Sequence, residues 1–161
     1  MRLHGGGGYG PTNSSFGAVG AGVALFGHRW RWSVDAGWWL PRTILREQAG
    51  GRFQAWWIGT RGCVVPQRGE LEFPLCAGME AGQVFARGLA PAINTRDATS
   101  PWIAATLTPA VAWVVTARVA IVAEAGLLLP LGRGSFDVGE QSLASLSPVG
   151  IRALLAVELR L

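Results

Sequence analysis

Four carboxylates, Asp35, Glu80, Glu124 and Glu158, and two arginines, Arg61 and Arg152, are the side chains of this sequence whose types invite a chemical reading. Carboxylates held in a confined space can exchange protons with a substrate or pass them along a path. Set beside guanidinium groups, they form ion pairs instead. Hydrolysis would also require a nucleophile with a base in reach, such as a Ser/His pair. No such pair occurs together, and both histidines lie outside the expected strand interiors, His28 in a turn where it reads as a solvated loop residue and His4 near the start. Cys63 and Cys76 belong to no CxxC motif and the histidines are far apart, so no metal site is expected. The run Gly5 to Gly8 is not followed by Gly-Lys-Ser/Thr and is no phosphate loop. The expectation is a non-enzymatic protein with no catalytic residue, metal or cofactor, in which the six charged groups form an interior network.

Those six residues can meet only if their strands turn them to one face. The stretch from Phe16 to Leu40 shows how that happens. Trp30, Trp32, Val34, Ala36, Trp38 and Leu40 alternate with Arg29, Arg31, Ser33, Asp35, Gly37 and Trp39. A period of two separates an apolar face from a polar or small one. A two-residue turn at Gly27 and His28, with glycine first as a type II′ turn requires, would pair Phe26 with Arg29. Leu25 then opposes Trp30, Val23 opposes Trp32, and Ala24, Gly22 and Gly20 stand opposite Arg31, Ser33 and Asp35. Bulky polar groups facing glycines suit a narrow, crowded interior.

The cysteines fix a second hairpin. If Cys63 opposes Cys76, the two loop residues are Gly69 and Glu70, again with glycine first. Two unrelated clues agree on one register, which supports a cross-strand disulfide formed in an oxidising compartment. That register puts Trp57, Gly59 and Arg61 on the face of Cys63, and makes Arg61 a diagonal neighbour of Glu80, close enough to pair. Leu71, Phe73, Leu75, Ala77 and Met79 line the other face. Further alternating strands run from Pro101 to Val115, from Val119 to Leu129 with Glu124 on the sparsely filled face, and from Val149 to Leu161. Pro109 cannot donate to a ladder, so a bulge or local break is expected there.

One domain spanning residues 1–161 follows from the length. Only 15% of residues are charged, lean for a soluble surface that would carry about 25%. The fourteen basic residues are all arginine and are scattered singly, against the clustered face that nucleic-acid binding uses. Two uncharged runs, 9–28 and 99–117, have the length of membrane helices. Their glycines and prolines argue for strands instead, leaving a helical membrane protein as the third reading. MRLHGGGG lacks an apolar signal core, so either the protein is cytosolic or the sequence begins after its export signal; the glycine-rich start, read as a weak or truncated first strand, favours the second.

Seven clear strands and one weak one alternate tight turns, near Gly27, Gly69 and Ala117, with long connections near Tyr9, Pro41, Gly88 and Gly132. Transmembrane barrels have that layout, with an apolar band about 25 Å tall between aromatic girdles. Trp30, Trp32 and Trp113 lie near the tight turns; Trp38, Trp39, Trp56, Trp57 and Trp102 lie near the long loops. Trp30 to Trp38 spans roughly 20 Å after tilting, and Trp102 to Trp113 nearer to about 28 Å. Trp30, Trp32, Trp38, Trp56, Trp102 and Trp113 are therefore expected at the membrane interfaces.

On these elements, with GIRALLAVELRL as the most specific, the chain resembles the small eight-stranded outer-membrane β-barrel proteins along nearly its whole length. The resemblance implies an antiparallel up-and-down transmembrane β-barrel in the bacterial outer membrane, monomeric and surrounded by lipid. It also implies a structural, adhesive or docking role through the outer loops, and delivery by the barrel-assembly machinery. That machinery commonly reads a terminal aromatic residue, where this chain has Leu161. The alternative is a soluble up-and-down barrel with its apolar face inward around a small apolar ligand.

Overall fold

The computed structural model describes residues 1–10, 14–46, 49–89, 97–131, 135–138, 141–145 and 148–160. Twelve strands occur among them: β1 (Arg2–Tyr9), β2 (Ser15–Phe26), β3 (Trp30–Arg46), β4 (Ala49–Val64), β5 (Gln67–Arg68), β6 (Leu71–Glu72), β7 (Leu75–Leu89), β8 (Asp97–Thr116), β9 (Val119–Pro130), β10 (Ser135–Val138), β11 (Gln141–Ser145) and β12 (Gly150–Leu159). Eight of them, β1, β2, β3, β4, β7, β8, β9 and β12, each pair antiparallel with the next in chain order, and β12 returns to pair with β1. The sheet is a closed barrel. Closure gives every one of these eight strands a partner on both sides, a requirement for backbone surrounded by lipid. The described residues of the runs 9–28 and 99–117 are strand and turn, and no described helix is long and apolar enough to cross a membrane.

The alternation read from sequence resolves into outside and inside. Trp32, Leu75, Val111 and Leu155 are 44–66% exposed, whereas Asp35 and Glu124 are 4% and 6% exposed. Along β12, Ile151, Ala153, Leu155, Val157 and Leu159 face out while Arg152, Leu154, Ala156 and Glu158 face in. That orientation overturns the alternative of a barrel with its apolar face turned inward. In water such a surface would lose about 25 cal/mol for every Å² of hydrocarbon left uncovered.

Register departs from expectation at the first hairpin. Phe26 pairs with Arg31, Leu25 with Trp32 and Val23 with Val34, two residues away from a Gly27–His28 two-residue turn. The Gly27 amide instead donates to the Trp30 carbonyl, and the Trp30 indole lies where a side chain on Gly27 would stand. A slip of two leaves every side chain on its own face, so hydrophobic alternation cannot distinguish the two registers. The second hairpin keeps the register its cysteines define: Cys63 opposes Cys76, Arg68 opposes Leu71, and Gly69 takes a φ of 62° in the turn. Across Pro109 no register shift occurs; the ladder to β9 skips Thr108 and Pro109 and resumes at Ala110 opposite Glu124.

Three connections expected as loops carry strand structure. β3 and β4 continue as a ladder to Arg46 and Ala49, β7 and β8 reach Leu89 and Asp97, and β10 and β11 form a separate hairpin within 132–148. The sequences of these segments, such as PRTILREQAGG, carry no regular alternation of apolar and polar residues that would mark an inner face. β1 also forms fully, paired on both sides despite its four glycines. The backbone comes close enough at Gly6 that a Cβ would collide with the Ala153 carbonyl, which explains glycine better than intrinsic propensity does.

Cys63 and Cys76 are bonded inside the barrel beside Val65, near the tight-turn end. The unreduced protein should weigh two hydrogens less than the reduced one by mass spectrometry. Replacing both cysteines by serine should lower unfolding free energy by about 2–3 kcal/mol, the loop-closure entropy of a short crosslinked segment.

Candidate functional site

All six charged residues singled out in the sequence point into the lumen, and the structure divides them among three levels. At the tight-turn end, Glu158 shares Arg31 and Arg160 with Glu72. Arg31 reaches Glu72 at 2.9 Å and Glu158 at 3.1 Å; Arg160 reaches the same carboxylates at 2.7 Å and 3.0 Å. Gln67 donates a further hydrogen bond to Glu72. Both guanidiniums also lie over the Phe26 ring. The result is a closed cycle of two cations and two anions across the mouth.

The middle level holds Glu124, Arg61 and Asp35 together. Glu124 lies 2.5 Å from Arg2 and 3.1 Å from Arg61, and Arg61 continues to Asp35 at 3.3 Å and to the Ser33 hydroxyl at 3.0 Å. Ser33 donates in turn to Asp35. Arg61 therefore does not pair with Glu80 as the hairpin register suggested. Barrel closure brings β9 across the lumen, and Glu124 takes the guanidinium. Asp35 fits because its strand neighbour is Gly22, where a Cβ would occupy the space of the carboxylate.

Glu80 and Arg152 pair at a third level, 3.0 Å apart, where the Trp102 indole N–H donates to Glu80 at 2.9 Å. Above them the lumen is apolar. Trp39 stacks on Phe16, meets Trp102 edge-on with centroids 5.1 Å apart, and is surrounded by Ala18, Ala55, Val84, Ala104 and Leu154. Nearer the tight-turn end, Ala110, Ala112, Val122 and Ala156 on β8, β9 and β12 are short side chains that leave room for the long arginines. Side chains fill an eight-stranded barrel to this degree as a matter of its diameter.

Trp102 is a correction. The girdle reading puts it at a membrane interface, yet it is 1% exposed inside the barrel. Along β8 the outward positions are odd-numbered, including Ile103, Leu107, Val111 and Trp113, so Trp102 must face inward. Its odd separation from Trp113 is a sequence signal that could have placed it. Trp30, Trp32, Trp38, Trp56 and Trp113 face outward, and Trp38 and Trp56 stand directly opposite each other across β3 and β4. His4 is a second correction, since it lies within β1, is 7% exposed and stacks on Trp57. Arg2, Arg31, Glu72 and Arg160 were not among the expected network. Parity with His4, Asp35, Cys76 and Glu158 would have found Arg2, Arg31, Glu72 and Arg160.

Among the described residues the interior thus sets five arginines, Arg2, Arg31, Arg61, Arg152 and Arg160, against five carboxylates, Asp35, Glu72, Glu80, Glu124 and Glu158. Equal numbers at short range make a neutral filling, without the single-signed ring that selects ions in a pore. Among the described residues, no group of histidine, cysteine and carboxylate side chains is placed to hold a metal.

A closed antiparallel eight-stranded barrel, apolar outside and ionised within, has the fold of the outer-membrane β-barrels. Among solved structures, Neisserial surface protein A (NspA) matches with a TM-score of 0.71 at 11% identity, covering 99% of this chain and 94% of that one. A major outer membrane protein from Thermus thermophilus matches at 0.68 and 11% identity, covering 99% and 98%. Neither a protein-family model nor a curated protein matches the sequence.

Proposed function

We propose that this chain is an integral protein of the bacterial outer membrane, a monomeric and non-enzymatic barrel whose lumen is plugged by its own side chains. Its work is structural, adhesive or docking, through the ribbons at the long-loop end. The observation that carries the reading is the exterior: Leu25, Trp32, Ile58, Met79, Val111, Leu127 and Leu155, drawn from seven of the eight barrel strands, are each exposed, while ionised groups are enclosed. Lipid is the surrounding that makes this arrangement favourable. The paired state of the interior carboxylates supports a structural role over acid/base work. Delivery by the barrel-assembly machinery belongs to the same proposal; Leu161, the residue at its expected recognition position, lies outside the described residues.

Gel mobility after detergent extraction tests the reading. The folded protein should migrate differently before and after boiling, and should leave the membrane fraction only with detergent. In planar bilayers it should show no stable open channel. Solubility without detergent would end the proposal, and a steady conductance would overturn the plugged lumen.

A further inference from the structure

Between the charged middle level and the aromatic plug lies a cavity of about 20 Å³, lined by His4, Asp35, Trp57, Glu80, Thr108 and Arg152 among others. His4 Nδ1, His4 Nε2, Asp35 Oδ1 and Trp57 Nε1 are all buried and have no hydrogen-bond partner within the protein. Buried polar groups left in that condition are costly, so natural interiors rarely leave several together. His4 Nδ1 and Asp35 Oδ1 stand 4.0 Å apart, too far for a direct hydrogen bond. Two hydrogen bonds of about 2.8 Å from one oxygen would span that gap at roughly a right angle.

We propose that this cavity is a binding site for a single water molecule, which bridges His4 to Asp35 and is an integral part of the folded barrel. Size sets the first limit, because a cavity needs about 10–15 Å³ by this measure to hold one water and this one holds little more. Charge sets the second. Asp35 and Glu80 are matched by Arg61 and Arg152 around the space, so the site favours a small neutral hydrogen-bonding molecule over an anion or cation. The water can donate to Asp35 Oδ1 and serve whichever imidazole nitrogen its tautomer presents, within the two to four polar contacts typical of buried water.

A high-resolution crystal structure of the detergent-solubilised full chain tests the assignment. The expected result is one ordered peak within hydrogen-bond distance of both the His4 imidazole and Asp35 Oδ1, lost in His4→Leu. Absence of that peak overturns the proposal, as does its persistence in His4→Leu or an anomalous signal showing a metal ion. Should His4→Leu fail to fold, the wild-type protein still decides by nuclear Overhauser contact between the His4 ring and a slowly exchanging water: contact supports the bridge, and its absence in a resolved His4 signal rejects it.

Discussion

Replacing Glu124 by leucine is expected to destabilise the barrel by about 3–5 kcal/mol, the range found when one partner of a buried ion pair is removed. Among the described residues Glu124 is the single carboxylate within 3.1 Å of both Arg2 and Arg61, and those groups are enclosed with it. Arg61 retains Asp35, but Arg2 loses the carboxylate 2.5 Å away. The cost therefore comes chiefly from an uncompensated guanidinium and less from the lost attraction. Combining Glu124→Leu with Arg2→Met should recover most of the loss, because replacing a whole buried pair with apolar groups of similar volume is often neutral. Urea titration in lipid vesicles, followed by tryptophan fluorescence and the heat-modifiable gel band, measures both variants. A single variant within about 1 kcal/mol of wild type, below the typical cost of an unsatisfied buried charge, would show that the middle level is loosely hydrated filler.

Trp102→Ala should cost a similar amount, about 3–5 kcal/mol, the usual penalty for deleting a fully buried aromatic side chain. The change removes the edge-on partner of Trp39 and the indole N–H that serves Glu80. Trp113→Ala on the same strand should cost far less, because its indole lies on the outer surface, half exposed, and lipid can follow the altered contour. The same unfolding assay reads the contrast. Equal costs for the two, or a larger cost for Trp113, would contradict the inward placement of Trp102.

The two tryptophans also show how far the pattern of residues could be read. Alternation along β2, β3, β8, β9 and β12 is legible because lipid and lumen impose opposite demands on neighbouring residues, and each strand records both. The cysteine pair was equally informative, since a covalent crosslink and a glycine turn independently require one register. Strand β1 gave little signal: its glycines answer to the closeness of neighbouring backbone at Gly6, which is a property of the assembled sheet. The long-loop ends of β3, β4, β7 and β8 were hidden for another reason, because their sequences lack a regular alternation of apolar and polar residues.

The linear order of residues thus sets the number of barrel strands, the faces of their side chains and the crosslink, all consequences of a period of two and of local turn chemistry. Who meets whom across the lumen is settled by the closed barrel. Arg61 chose Glu124 over Glu80, Arg2 reached the same carboxylate, His4 stacked on Trp57, and Trp102 met Trp39 and Glu80. Those partnerships join residues far apart in the chain, and their distances exist only once β12 has closed on β1. The two-residue slip at the first hairpin belongs with them: both registers satisfy the hydrophobic pattern, and only packing around Gly27 and Trp30 separates them.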